Sequence, residues 1–194
     1  FALITVGLFA LLAPPSRAAD SLISFGSVWK YLDDGSDQGS GWISPSFDDA
    51  AWAEGPGQLG YGDGDEATIL NSGPAANFFI TSYFRHHFNV PNPAAYAVLL
   101  LRVRRDDGVV VYLNGQEVYR NNFPEGPVTS ATFAFNASDD GNTIFSTNIP
   151  TSFLLPGQNV LAAEIHQNQP GSTDISFDLE LLGNQENERP TVAI

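Results

Sequence analysis

The sequence predicts an all-β fold, an antiparallel jelly-roll β-sandwich, and three observations predict it. Eight or so short runs of β-forming residues occupy the chain from about residue 82 onward, with apolar and polar positions alternating. Clusters of Gly, Pro, Asn and Asp separate the runs and supply the backbone angles of tight turns. No long amphipathic helical pattern interrupts the series, which leaves sheet packed on sheet as the way to bury a core.

The runs follow in order. Residues 82–90 (SYFRHHFNV) and 97–105 (AVLLLRVRR) have period-2 patterning, and in the second Leu99, Leu101 and Val103 face one way while Arg102 and Arg104 face the other. Residues 109–113 and 116–120 flank Asn114-Gly115, a pair suited to a type I′ turn because both central residues need positive φ. That register puts Val109, Val111 and Leu113 on the buried face. Residues 131–135 (ATFAF), 143–149 (TIFSTNI), 159–167 (NVLAAEIHQ) and 174–182 (DISFDLELL) complete the strands, separated by DDGN, LLPGQ and NQPGS. The stretch from about 33 to 73 is rich in Gly and Asp and predicts at most a helical turn near 47–52.

The chain opens FALITVGLFALLAPPSRAAD, an apolar run ended by Pro14-Pro15 and followed by small residues. A membrane span needs roughly 20 apolar residues, so the run reads as a truncated secretory signal over residues 1–18, cut after Ala18 or Ala19. The module then spans 19–183, and 184–194 reads as a linker into a further domain. The protein is accordingly expected to be secreted or held at a cell surface, with no membrane contact after cleavage. Its 22 acidic residues against 8 basic ones give a formal charge of −14, which opposes binding to nucleic acid or to anionic membrane and favours cations. Without cysteine there is neither a disulfide framework nor a thiolate metal site, so any metal must be held by oxygen.

Several pieces in order, WKYLDDGS near Trp29, FDDAAW ending at Trp52, LGYGDGDEAT from Leu59, YFRHHFNV from Tyr83, DDGVVVYLNG from Asp106 and LLPGQNVLAAEIHQ from Leu154, resemble a galactose-binding-like jelly roll. The resemblance spans roughly residues 25 to 183. It is to the sugar-binding domains of family-2 glycoside hydrolases and to accessory modules of large secreted bacterial proteins, where such units sit beside metallophosphoesterase, lamin-tail or immunoglobulin-like domains. The resemblance implies the fold; function does not follow from it, because the same fold binds, packs and anchors.

Catalytic motifs are missing: there is no His-Glu-x-x-His, no Gly-x-Ser-x-Gly and no phosphate-binding Gly-rich loop. His86 and His87 point to opposite faces of one strand. Glu164 and His166 share a face and read as an outward polar pair, so the segment is expected not to be an enzyme. Calcium has better support, because Asp63, Asp65 and Glu66 place three carboxylates in four residues of a Gly-rich loop. The spacing is not that of an EF-hand, and a solvated acidic loop is the other reading. Calcium-binding jelly rolls hold an ion between early and late strands, which by resemblance brings in Asp178 or Glu180. Asp106-Asp107 resembles the paired aspartates of protective-antigen-like lectin domains, where a calcium contacts sugar. As plain turn chemistry, Asp106-Asp107-Gly108 is a corner between two strands, with Gly108 at positive φ.

Carbohydrate recognition calls for an exposed aromatic face with polar groups at its rim. Trp29 and Trp52 read as core. Trp42 in GSGWISP and Tyr61 in LGYGDG are the candidates for exposure, since adjacent glycines leave room beside the ring. Two functions stay open: a non-catalytic carbohydrate-binding accessory module, whose partner is a glycan, or a structural spacer packed against a neighbouring domain of the same chain.

Overall fold

The computed structural model describes residues 19–75 and 77–185; the signal expected at 1–18, and all but the first two residues of the linker expected at 184–194, lie outside the described residues. The strands form two six-stranded sheets. The first contains β1 (Asp20–Ile23), β4 (Leu59–Tyr61), β5 (Thr68–Ile69), β7 (Tyr96–Asp106), β10 (Ile144–Ile149) and β12 (Ile175–Gln185), in the order β10-β7-β12-β4-β5 with β1 also beside β12. The second contains β2 (Val28–Leu32), β3 (Ala53–Pro56), β6 (Thr81–Val90), β8 (Gly108–Leu113), β9 (Gln116–Asn121) and β11 (Gly157–His166), in the order β3-β2-β6-β11-β8-β9. Neighbours pair antiparallel except β4 with β5. The predicted antiparallel sandwich is therefore the fold, with β12 running two residues past the expected boundary at 183. Among the described residues no helix is long and apolar enough to cross a membrane.

Alternation builds the core as expected. Leu99, Leu101 and Val103 of β7, Phe177, Leu179 and Leu181 of β12, Leu161, Ala163 and Ile165 of β11, and Val109, Val111 and Leu113 of β8 all belong to one buried cluster between the sheets. Asn114 and Gly115 adopt φ of 52° and 85°, as the hairpin between β8 and β9 requires. Trp29 and Trp52 are both buried.

The second sheet departs from expectation on its outer face. Two loop stretches cover it, so residues that alternation assigns to solvent are buried. Residues 33–52 place Trp42 and Trp52 against Tyr83 and Ala162, and residues 122–136 place Phe123 and Ala134 against Val110. Three predicted features change accordingly. Residues 131–135 form no strand: Ala134 N donates to Gln167 O and Phe135 N to Asn122 O, two bonds to different strands and no ladder. Glu164 and His166 do not face outward but lie buried, His166 Nε2 being 3.0 Å from Glu164 Oε2 and Nδ1 2.7 Å from the Thr132 carbonyl. The corner at Asp106-Asp107-Gly108 joins β7 of one sheet to β8 of the other. Gly108 is not in the positive-φ region there. It is small because a Cβ would lie 2.6 Å from that of Ala134 and 2.8 Å from Asn122 O.

Arg85, fully buried in β6, fastens the first cover. Its Nε donates to Asp49 Oδ2 at 2.7 Å, its Nη1 to Trp42 O and its Nη2 to Ser44 O at 3.2 Å. His87 Nε2 meets the same Asp49 oxygen at 2.8 Å. Burial pushes the Asp49 carboxyl upward, but the bonds from Arg85 and His87 outweigh it and hold the carboxyl below its ordinary range. A depressed folded-state pKa contributes stability above the unfolded value and loses it as the pH falls through the folded value. Asp49→Ala is therefore expected to cost about 3 kcal/mol at neutral pH, since it strands a buried guanidinium. In urea melts from pH 7 down to pH 2 the gap to the parent chain should close below about pH 4.

Candidate functional site

Four connecting segments meet at one end of the sandwich because the register of β12 brings them there. Ser176 is opposite Gly60 of β4 and opposite Asp106 of β7. The loop after β4 (62–67), the corner after β7, the turn before β10 (139–142) and the turn before β12 (170–174) therefore converge. Close approach is possible because two glycines lack a side chain: a Cβ on Gly62 would lie 2.6 Å from that of Asp174, and one on Gly141 would lie 2.8 Å from Ser176 Oγ.

Two sets of carboxylates at this pole have oxygens within 4.8 Å of one another, Asp63 with Asp65 and Glu66, and Asp63 with Asp140 and Asp174. Hydrogen bonds distinguish them. In the first set Glu66 is already engaged, Oε1 accepting from Asp63 N and Oε2 from Gly64 N, both at 2.9 Å. Asp65 Oδ1 accepts from Gln58 Nε2 at 3.0 Å, and its Oδ2 faces Arg104 Nη1 at 3.8 Å. In the second set donors are scarce: Ser176 Oγ donates to Asp63 Oδ2 at 3.1 Å, and Thr173 Oγ1 reaches Asp174 Oδ1 at 3.5 Å.

Behind the second set is Asp106, only 3 % exposed. The groups around its carboxyl are those of Asp174 and Asp107, acceptors like itself, and burial first, then their charges, push Asp106 far above the usual carboxylate range. Asp174 is raised too, by burial and by Asp140 and Asp107, against a lowering hydrogen bond with Asp106. Burial also raises Asp63, with Asp174, Asp140 and Glu66 adding to it and Ser176 opposing. Of these three raised carboxyls only Asp106 is buried; Asp63, like Asp140, is exposed and Asp174 is half-buried, and clustered carboxylates with few donors are what a hard, oxygen-ligated divalent cation relieves. On the chemistry of this donor set, the residues fit calcium.

Asp107, the neighbour of Asp106, is turned elsewhere. Its Oδ1 accepts from Ala137 N at 2.9 Å and its Oδ2 from Asn168 N at 2.7 Å, with Ser172 Oγ at 3.4 Å. It stitches two loops to the corner. Asp178, expected by resemblance among the metal ligands, lies outside both carboxylate sets. It accepts from Gly26 N at 3.0 Å and from Leu179 N at 2.9 Å, pinning the turn between β1 and β2.

The two aromatic candidates are corrected by their burial. Trp42 is 2 % exposed, its ring 4.9 Å from Tyr83 and 5.7 Å from Tyr112, because its flanking glycines let the loop fold back onto the sheet. Tyr61 is 9 % exposed, packs on Phe78 and accepts a hydrogen bond from Gln167 Nε2; the space beside Gly60 is taken by the backbone of Ile175. Neither ring offers a stacking face. Asp140, Asp174 and Gln58 are members of the site that sequence reasoning passes over; the two aspartates sit in turn clusters, and only the pairing of β12 with both β4 and β7 brings them to Asp63.

A cavity of about 270 Å³ opens beside the second carboxylate set, lined by Gln58, Asp63, Asp65, Arg104, Asp140 and Asn142 together with Gly141 and Ser176. Gln58 Oε1 accepts from Arg104 Nη1 at 2.9 Å, which holds the guanidinium on the wall.

No family model matches the chain, and no curated protein does. Solved structures do. A calcium binding mutant of Bacteroides uniformis β-glucuronidase 2 aligns with a TM-score of 0.53 at 16% identity, covering 85% of this chain and 18% of that one. A β-glucuronidase of an uncultured Clostridium sp. aligns with a TM-score of 0.52 at 16% identity, covering 92% and 31%. A β-glucuronidase from glycoside hydrolase family 2 gives 0.52 at 15%, covering 89% and 18%. At such identities the likeness is one of fold: the chain has the β-sandwich of a domain in these glycosidases, and spans less than a third of their length.

If Asp107 acts as a stitch rather than a ligand, Asp107→Ala removes charge-assisted bonds to two amides and costs roughly 2–4 kcal/mol. Urea unfolding in calcium and in EDTA should give the same loss.

Proposed function

We propose that this chain is a non-catalytic accessory module of a larger secreted protein, that it binds carbohydrate, and that its acidic pole holds a calcium ion. The observation that carries the reading is the buried Asp106 carboxylate set against those of Asp107 and Asp174. Asp63, Asp140 and Asp174 would hold the ion, with Asp106 behind them. When bound, the ion supplies the positive charge that these carboxylates otherwise lack, and it can accept oxygen atoms of a ligand. All the candidate ligands are oxygens, which suits calcium better than zinc or copper.

The absence of catalysis in the reading rests on Glu164 and His166, the acid–base pair that the sequence singles out. His166 is wholly buried, both ring nitrogens face acceptors, and Tyr112 donates to the other Glu164 oxygen at 2.6 Å. The pair ties the loop at 129–132 to β11, leaving no position for a substrate. The carbohydrate assignment draws on the fold shared with glycosidase domains and on a cavity lined by polar side chains. A second reading, packing against a neighbouring domain, draws on the exposed side chains of Val28, Ile69 and Phe135.

Calcium at a hundredfold excess over its dissociation constant adds about 2.7 kcal/mol, a rise of roughly 5–10 °C in Tm for a domain of this size. Asp174→Asn supplies a donor to Asp106 and removes a ligand. The variant should therefore melt above the parent chain in EDTA and below it in calcium. A parent chain whose Tm is the same in both would overturn the calcium assignment.

A further inference from the structure

We propose that β10 is a self-association edge, along which two copies of this chain pair antiparallel about a two-fold axis through Thr147. The pairing needs no cation at the acidic pole and no ligand.

An outermost strand leaves a row of unpaired N–H and C=O groups, and sheets blunt such rows by brevity, charge, proline or a bulge. Four outermost strands here are blunted. β5 has two residues, and β1 has four with a register shift between Ser21 and Ile23. β3 carries Glu54 and ends on Pro56, whose carbonyl accepts from Thr68 Oγ1 at 2.8 Å. β9 carries Glu117 and Arg120, and its ladder with β8 shifts register between Val111 and Tyr112. β10 has none of these devices. It is six residues, IFSTNI, without charge, Gly or Pro, and its ladder with β7 runs from Ile144 opposite Arg104 to Ile149 opposite Leu99 without a shift. β10 is last in its sheet, and among the described residues no hydrogen bond outside that ladder reaches the backbone of 144–149. Alternate N–H and C=O groups therefore point away from β7 unpaired.

The strand is its own complement. Residues directly opposite in an antiparallel pair share a face, so self-pairing that keeps the inner face inward centres on a residue and not between two. Centred on Thr147, it sets Thr147 against Thr147, Phe145 against Ile149, Ser146 against Asn148 and Ile144 against Pro150. Apolar meets apolar, polar meets polar, and no charge meets another. Centred on Ser146, it sets Phe145 against Thr147 and Ile144 against Asn148, and the match is lost. Ile144 is 40 % exposed in the single chain and has an apolar partner only in the first register. Phe145 is already held in place: the Arg105 guanidinium lies 4.1 Å from its ring centroid and reaches Asp139 at 2.9 Å. The formal charge of −14 makes two copies repel, and a line without charge is where the repulsion is least. The antiparallel pair turns the two acidic poles to opposite ends, so the paired copies present one at each end.

The experiment is sedimentation equilibrium of the chain up to about 1 mM, at low and high salt, in EDTA so that no cation bridges two acidic poles. The expected result is a monomer–dimer equilibrium with Kd at or below about 100 μM, tightened by salt because salt screens the like charge of the copies. Ser146→Lys, at an exposed position, should weaken the dimer by roughly tenfold or more with Tm unchanged. Thr147→Lys and Thr147→Glu should each be monomeric, since the axis sets two like charges face to face, and mixing the two should restore the dimer. Thr147→Lys also brings the chain nearer to neutrality, so a tighter dimer there would show net charge in control and overturn the proposal. A mixture that stays monomeric overturns it as well. So does a parent chain that is monomeric at about 1 mM, association that salt weakens, or a dimer undiminished in Ser146→Lys. Should the Thr147 variants fail to fold, Ser146→Lys decides alone.

Discussion

A carboxylate turned inward where the chain passes from one sheet to the other is the constraint on which this pole of the molecule depends. Asp106 ends β7 and Gly108 begins β8, so the chain changes sheet in the space of one residue. Asp107 makes that corner rigid by accepting the amides of Ala137 and Asn168, and Gly108 makes it narrow enough to lie beneath Ala134. With Asp107 so engaged, Asp106 has only carboxyls to face. Packing has thus put this carboxyl where its charged form is disfavoured, a strain that the proposed cation would relieve.

The covering of the second sheet has a different logic. Its outer face holds Arg85, Glu164 and His166, and two of them anchor loops: Arg85 through Asp49 and the carbonyls of Trp42 and Ser44, His166 through the carbonyl of Thr132, while Glu164 holds the His166 ring from two residues back in β11. Those loops carry Trp42, Trp52, Phe123 and Ala134, which form small apolar clusters once they are laid down. Buried polar side chains here fix the course of loops that have no ladder of their own, and the aromatic residues seal them from water. The rings of Trp42, Trp52 and Phe123 are used for this purpose and are buried by it.

How much of this was legible in the sequence depends on the range of the interaction. Leu99, Leu101 and Val103, or Phe177, Leu179 and Leu181, declare a strand and its inner face because strand geometry is local. Asn114-Gly115 declares its turn for the same reason. The segment ATFAF at 131–135 alternates as well as any strand, yet its backbone finds only Gln167 and Asn122, at the ends of two strands that sequence does not bring together. Glycines beside Trp42 and Tyr61 suggest room for a ligand, but the room is filled by the chain itself. The acidic loop at Asp63 was legible as a cluster, while Asp140 and Asp174 were not, since only the register of Ser176 against both Gly60 and Asp106 places them beside it. Asp178, read by analogy as a ligand, serves a turn that no local pattern announces.

The central claim is that carboxylates from separate loops at this pole are held together by a cation. Hydrogen–deuterium exchange of the chain in calcium and in EDTA tests it most directly, because each loop reports separately. The account predicts that calcium slows exchange together at residues 62–66, 106–108, 137–142 and 168–174, and leaves the hairpin of β8 and β9 unchanged. Slowing confined to 62–66, or no difference at any of the four, would contradict it.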